Sequence, residues 1–83
     1  MKELMEVIAR QLVTHPDAVE IRETKTDTMS VLELTVARDD VGRVIGKHGG
    51  TIDAIRTILN AVASRAKRRV TVEIVEPPAG SSR

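Results

Sequence analysis

The most informative stretch of the chain reads Val44-Ile45-Gly46-Lys47-His48-Gly49-Gly50-Thr51-Ile52. Glycines at positions 46 and 49 would let the backbone approach a sugar-phosphate chain closely, and they supply positive φ angles that other residues tolerate poorly. A helix N-terminus carries unpaired N–H groups and a partial positive charge, so a glycine loop leading into a helix favours a phosphate. Lys47 and His48 would project from the tip of this loop toward the phosphates.

Two common nucleotide-binding motifs do not fit this stretch. The dinucleotide fingerprint G-x-G-x-x-G is absent from residues 42–49. The run from Gly42 to Lys47 is one residue short of the P-loop, and His48 stands where Ser or Thr would bind magnesium. A simple helix-to-helix turn is the alternative, but three glycines in five residues would cost a mere connector conformational entropy. The pattern favours a functional loop.

Hydrophobic periodicity in the rest of the chain predicts an α+β order of elements. The elements are a helix over residues 1–14, strands over 19–25 and 32–36 around a polar turn at 26–28, helices over 41–45 and 51–66, and a strand over 70–74. We expect one domain over residues 1–76, with a three-stranded sheet packed on helices. The Pro- and Ser-rich segment 77–83 is predicted to be a flexible tail.

Two details of the helices bear on the glycine loop. Asp39 or Asp40 is predicted to cap the short helix, and Thr51 to cap the longer one, because their oxygens can accept free backbone N–H groups. One apolar stripe is expected along the longer helix: Ile52, Ile55, Leu59 and Val62, widened by Ile58. Part of this stripe would serve the core, and any exposed part would suit a partner interface.

Composition excludes several classes of function. Phe, Trp and Tyr are all absent, so the core must be aliphatic, and RRM or typical OB-fold recognition by base stacking is disfavoured. Cysteine is absent too, which excludes disulfides, thiolate metal sites and cysteine nucleophiles and is compatible with a reducing cytoplasm. The charged N-terminus is wrong for a signal peptide. We therefore expect a soluble cytoplasmic protein.

Charge is segregated along the chain although the total is only +1. Residues 1–37 carry four basic and seven acidic side chains, whereas residues 38–69 carry eight basic and three acidic ones. This asymmetry suggests an anionic partner at one face.

The stretch 44–52 resembles the V-I-G-x-x-G-x-x-I core of KH domains, whose loop clamps a nucleotide backbone. The order of elements resembles the type II, or bacterial, KH topology from about Met1 to Val75. Within that group the chain is most similar to the small single-domain members. The resemblance implies a non-enzymatic protein that binds single-stranded RNA without a metal or other cofactor. It further implies an RNA chaperone or regulator, linked to cell elongation and envelope homeostasis, that forms a homodimer or pairs with a second KH protein.

The resemblance also assigns the candidate RNA-binding residues. The clamp corresponds to Gly46, Lys47, His48 and Gly49. Apolar positions near a base-binding groove correspond to Val44, Ile45, Ile52 and Ile55, and some of these four must serve the core instead. Arg43 and Arg56 are candidate phosphate or base partners. Relatives often carry a basic or polar residue where this chain has Gly50, so fewer phosphate contacts are expected here.

Several features keep a simpler interpretation beside the functional one. His48 would strengthen RNA binding if it carried a proton, but an ordinary exposed histidine is the simpler description. The basic residues from Arg65 to Arg69 would either extend the RNA surface or only complement the helix dipole. Asp39 and Asp40 lack further ligands for a metal. A protein-interaction module with incidental RNA contact is the rival function.

Overall fold

The structure, a computed structural model, describes residues 1–75. Its elements are α1 (Lys2–Leu12), β1 (Glu20–Lys25), β2 (Met29–Thr35), α2 (Val41–Ile45), α3 (Gly50–Ser64) and β3 (Arg69–Val75). Short 3-10 turns occupy Pro16–Ala18, Arg38–Asp40 and Lys47–Gly49. The predicted element order is therefore confirmed. The predicted tail at 77–83 lies outside the described residues, as does the domain boundary at residue 76.

The three strands form one sheet in the order β1-β2-β3. Strands β1 and β2 pair antiparallel as the predicted hairpin, with Ile21 opposite Leu34. The central strand β2 pairs parallel with β3, and this pairing joins residues that are forty positions apart, from Met29 with Arg69 to Thr35 with Val75. Because a parallel pair needs a crossover, α2 and α3 return the chain to the start of β3.

Helices cover one face of the sheet, and the core lies between the two layers. Leu32 and Leu34 of the central strand are fully buried, as are Met5 of α1 and Leu59 of α3. Alternate residues of β2 point into this core, and those between them are only half buried. The core is aliphatic, as the composition requires.

The buried face of α3 differs from the predicted stripe at two positions, Ile58 and Val62. Ile52, Ile55 and Leu59 are buried as predicted, and Ala63 completes the face. Val62 and Ile58 are 46% and 48% exposed. Both residues lie on the flank of α3 that turns away from the sheet, so they are the exposed part of the stripe, and Ile52, Ile55 and Leu59 are the part that serves the core.

Neither of the two predicted helix caps forms. The side chains of Asp39 and Asp40 make no cap hydrogen bond to α2, because the Asp40 carboxylate is fully buried and turned toward the end of α1. Thr51 lies inside α3, and Gly49 occupies the N-cap position without a side-chain hydrogen bond. The N-terminus of α3 therefore has no side-chain cap.

The C-terminus of α3 closes with a tight hydrogen-bonded turn. The N–H of Arg68 donates to the Ala63 carbonyl at 3.0 Å, and the N–H of Lys67 donates to the Ser64 carbonyl at 3.0 Å. This is a Schellman motif, which requires a left-handed residue where glycine is usual. Lys67 occupies that position with a φ of 59°.

Candidate nucleic-acid interface

The glycine loop connects α2 to α3 and has mostly left-handed backbone geometry. Gly46, His48 and Gly49 have φ angles of 77°, 55° and 75°. The loop is closed by a hydrogen bond from the Gly49 N–H to the Gly46 carbonyl at 3.1 Å. The predicted positive φ angles at positions 46 and 49 are confirmed. We call residues 46–49 the GKHG loop.

Gly46 and Gly49 are required for different reasons. A Cβ atom on Gly46 would overlap the side chain of Thr51 and approach the Thr51 backbone nitrogen to 2.8 Å, and the positive φ is a second obstacle. A Cβ on Gly49 would meet no atom within 4 Å, so only its φ favours glycine. Gly50 is helical with a φ of −65° and has open space around it. A side chain is therefore sterically possible at Gly50.

The tip of the loop presents cationic and hydrogen-bonding side chains beside the uncapped end of α3. Lys47 and His48 are both exposed. The first-turn N–H groups of α3 and its dipole add positive potential at the same place. Asp53 opposes this potential, although its carboxylate is 3.3 Å from the guanidinium of Arg56. Among residues 1–75, no ion pair involves Lys47.

The structure divides the four apolar candidates between the core and the surface. Val44, Ile52 and Ile55 are buried at 0%, 5% and 3% exposure, so these three serve the core. Ile45 is half buried and lies directly before Gly46. Of the four, Ile45 therefore retains the most surface for a ligand beside the loop.

Arg43 lies on α2 and forms one ion pair, with Asp40. Its Nε is 3.4 Å from Oδ1 of Asp40, while the side chain is 58% exposed. The guanidinium can therefore face solvent on its outer side. Its role as an RNA partner remains a prediction.

Arg56 has a structural contact that sequence reasoning missed. One guanidinium nitrogen donates to the Val72 carbonyl of β3 at 3.1 Å, and another donates to Asp53. The side chain lies along the outer edge of β3 and is 45% exposed. A contact to RNA would have to coexist with this link to the sheet.

Asp40 has a role that the sequence did not predict. Its carboxylate accepts hydrogen bonds from the N–H and hydroxyl of Thr14, both at 2.9 Å, and from the N–H of His15 at 3.0 Å. Burial by itself would raise the pKa of Asp40, but these hydrogen bonds and the nearby His15 charge hold the pKa below its usual value. The carboxylate thus fixes the end of α1 to the start of α2, which carries the loop.

An α+β domain in which a GxxG loop joins two helices, and in which one parallel strand follows that helix pair, is a type II KH domain. The chain belongs to the KhpA/KhpB KH-domain family, whose family model matches residues 2–74. Within this family, the chain is similar to the small KhpA proteins, which it matches over nearly their whole length.

Curated relatives agree with this assignment over nearly their whole length. The chain is 46% identical over 76 residues to "RNA-binding protein KhpA" of Chlamydia muridarum, covering 92% of this chain and 97% of the relative. It is 48% identical over 75 residues to the KhpA of Caldanaerobacter subterraneus, covering 90% and 100%. The KhpA of Listeria monocytogenes is 43% identical over 76 residues, covering 92% and 100%. No solved structure gives a significant match.

A membrane-spanning helix and a metal-binding cluster are both absent from the part of the chain that the structure describes. No helix within residues 1–75 is long and apolar enough to cross a membrane. Over the same residues, no three His, Cys, Asp or Glu side chains cluster closely enough to hold a metal ion.

Proposed function

We propose that this protein is a non-enzymatic binder of single-stranded RNA that holds the phosphate backbone at the GKHG loop. The observation that carries the proposal is the geometry of that loop, in which Lys47 and His48 are exposed beside the uncapped N-terminus of α3. The names of the curated relatives point to the same ligand. The apolar candidates are mostly buried, so backbone contacts dominate over base contacts.

Charge reversal at the tip of the loop tests this proposal. The double variant Lys47→Asp/His48→Asp places negative charge where the phosphates would bind, and Asp tolerates the left-handed φ of position 48. We expect RNA affinity to fall at least tenfold at about 0.1 M salt, with a salt slope shallower by about 0.7 for each phosphate that the variant no longer neutralises. Fluorescence anisotropy at two salt concentrations measures both quantities.

The matched control applies the same change of charge on α1. Arg10→Asp/Gln11→Asp alters two exposed residues of that helix, and circular dichroism verifies the fold of both variants. An equal loss of affinity in both would mean that net charge, and not the loop, governs binding. Unchanged affinity in the loop variant would refute the clamp.

We further propose that the protein is a cytoplasmic RNA chaperone or post-transcriptional regulator that acts with a KhpB-like KH protein. The family that the chain belongs to includes both KhpA and KhpB domains. One small clamp gives modest affinity, and a second linked domain raises it through effective concentration. The resemblance to this family is the basis on which we propose a cellular role in cell elongation and envelope homeostasis. Deletion of the gene should change cell length, and the loop variant should fail to restore it.

A second candidate function is a protein-interaction module that forms a homodimer or a heterodimer. Ile58 and Val62 favour it, because they are one turn apart on the exposed flank of α3. Ile58→Asp should abolish association measured by sedimentation equilibrium. Val7→Asp is the control, since Val7 is 59% exposed on the outer face of α1. If association is lost while RNA binding persists, the two functions are separable.

A further inference from the structure

Four cationic side chains lie at the end of the domain where α3 stops. Lys25 is the last residue of β1, Arg65 and Lys67 belong to the turn after α3, and Arg69 opens β3. The strand register brings the end of β1 and the start of β3 to the same end of the sheet, through Ser30 of β2. All four side chains are exposed. We call them the distal basic patch.

Among the described residues, these cations differ from several others in the domain in their lack of ion pairs. Within residues 1–75, none of the four takes part in an ion pair, whereas Arg10, Arg43 and Arg56 each contact a carboxylate. The hairpin turn brings Asp27 to the same end, and that acidic side chain is also exposed. The patch therefore retains a positive excess that is open to solvent.

Arg68 lies inside the same segment but has a different task. Its guanidinium donates to the Asp27 carbonyl at 2.9 Å, to the Met29 carbonyl at 3.1 Å and to the Ser30 hydroxyl at 3.0 Å. These bonds fix the hairpin turn to the end of α3. Arg68 thus supports the patch structurally. The residues from Arg65 to Arg69 therefore do not form one continuous basic surface.

Lys67 has a backbone conformation that is unusual for a residue other than glycine. Its left-handed φ lies at a helix C-terminus where glycine would relieve the strain. A lysine at such a position is held against its conformational preference, and strain of this kind clusters at functional sites. The Lys67 side chain is exposed, as are those of Lys25, Arg65 and Arg69.

The patch is too far from the GKHG loop to share its ligand contacts. The fifteen residues of α3 separate them, which corresponds to about 22 Å at 1.5 Å per residue. A KH loop clamps only about four nucleotides. A single strand held at the loop must therefore be longer than about four nucleotides to reach the patch.

We infer that the distal basic patch is a second, sequence-independent contact for the phosphate backbone of RNA held at the GKHG loop. The chain has no aromatic residue to stack bases, so phosphates are the groups that lysine and arginine would recognise there. This inference rests on the proposed function, and it extends the footprint of the domain from one end of α3 to the other.

Two RNA lengths separate the patch from the loop. Wild-type protein and Lys67→Gln/Arg69→Gln are titrated with RNA of about four nucleotides, which fills the clamp alone, and of about 20 nucleotides. We expect the variant to bind the long RNA about tenfold more weakly at about 0.1 M salt, with a slope shallower by about 1.4. Binding of the short RNA, followed by chemical-shift titration, should not change.

Arg10→Gln/Arg22→Gln is the matched control, because it removes two exposed cations elsewhere. Equal losses in both double variants, or a loss for the short RNA as well, would overturn the inference. So would a change in Tm alone, which is the result expected if the patch only complements the helix dipole. Should Lys67→Gln/Arg69→Gln fail to fold, Lys67→Gly/Arg69→Gln removes the same charge and relieves the strained φ.

The two proposals fail in different ways. If wild-type protein binds neither RNA, the clamp is wrong and the patch with it. If wild-type protein binds both RNAs and the patch variant binds the long one equally well, only the patch is wrong. If the patch variant binds the long RNA as well as wild-type protein does, the partner of the patch would instead be an acidic protein.

Discussion

Gly46 is the residue at which the position of the GKHG loop is set. Its positive φ turns the chain out of α2, and the space where a side chain would stand is filled by Thr51 from the first turn of α3. The close approach of these two residues fixes the angle at which α3 leaves the loop. Gly49 shares the positive φ but not the crowding.

A graded alanine series should reveal this difference. We expect Gly46→Ala to reduce the free energy of unfolding by roughly 2–4 kcal/mol, because it adds a steric overlap to a strained φ. Gly49→Ala should cost about 1 kcal/mol from φ alone. Gly50→Ala should not destabilise the domain and should stabilise it by up to about 1 kcal/mol, because that residue is helical and alanine has the higher helix propensity. Urea denaturation measures all three, and equal effects at positions 46 and 50 would contradict the structure.

Helix α3 performs three tasks on different sides and ends. Its N-terminus follows the loop, and its buried face packs on the sheet. The flank opposite Ile58 and Val62 covers the outer edge of β3. The covering is done by Arg56 and by Asn60, whose amide pairs with both the N–H and the carbonyl of Val70 at 3.0 Å. An unpaired strand edge invites aggregation, and these side chains occupy it.

Asn60→Ala should destabilise the domain by about 1–3 kcal/mol, because the backbone groups of Val70 lose their partner. We also expect more aggregation on heating, since part of the edge of β3 becomes available. Thr57→Ala is the control, since the Thr57 hydroxyl bonds only to the Asp53 carbonyl of its own helix. Thermal denaturation with light scattering reports both effects, and similar curves for the two variants would exclude edge protection by Asn60.

At the scale of the whole molecule, Asp40 connects parts that are distant in sequence. Its carboxylate binds the chain just after α1 while its backbone enters α2. The helix layer is thereby held together at the end that carries the GKHG loop. A buried acceptor with three donors depends on its negative charge.

This connection predicts a specific dependence of stability on pH. The pKa of Asp40 is lower in the folded state than in the unfolded state, so its contribution is present above the unfolded pKa and is lost as pH falls through the folded pKa. Asp40→Asn should therefore be clearly less stable than wild type at pH 7, and the difference should shrink below about pH 4. Tm is measured across this range.

Asp39→Asn provides the comparison, because Asp39 is the exposed neighbour. It should leave Tm and its pH profile nearly unchanged. A gap between wild type and Asp40→Asn that stays constant down to low pH would show that the buried carboxylate does not act through its charge.

Much of this architecture could be predicted because it follows from local patterns. Period-two and helical spacing located the three strands and the two longer helices of the described residues, although β2 begins at Met29 and not at the predicted residue 32. The glycines at positions 46 and 49 indicated left-handed backbone correctly. Residues whose partners are distant in sequence could not be assigned in this way. Asp40 was expected to cap its own helix, yet it bonds to Thr14 and His15 at a separation of 25 or 26 residues.

The same distinction between local patterns and distant contacts applies to the candidate site. The loop residues follow from the motif itself, whereas the buried state of Val44, Ile52 and Ile55 depends on how α2 and α3 meet the sheet. The contact of Arg56 with β3 was invisible for a related reason. Sequence spacing does not reveal that β3 runs beside this flank of α3.

The parallel pairing of β2 with β3 also constrains the order in which the chain can fold. The hairpin of β1 and β2 is local, but β3 pairs with residues forty positions earlier, and such distant pairing is slow to form. On the ribosome, β3 emerges last of the three strands, so the second edge of β2 stays bare while α2 and α3 are being synthesised. A newly made chain therefore passes through a stage with an unprotected apolar strand, and that interval is when it most needs protection from aggregation.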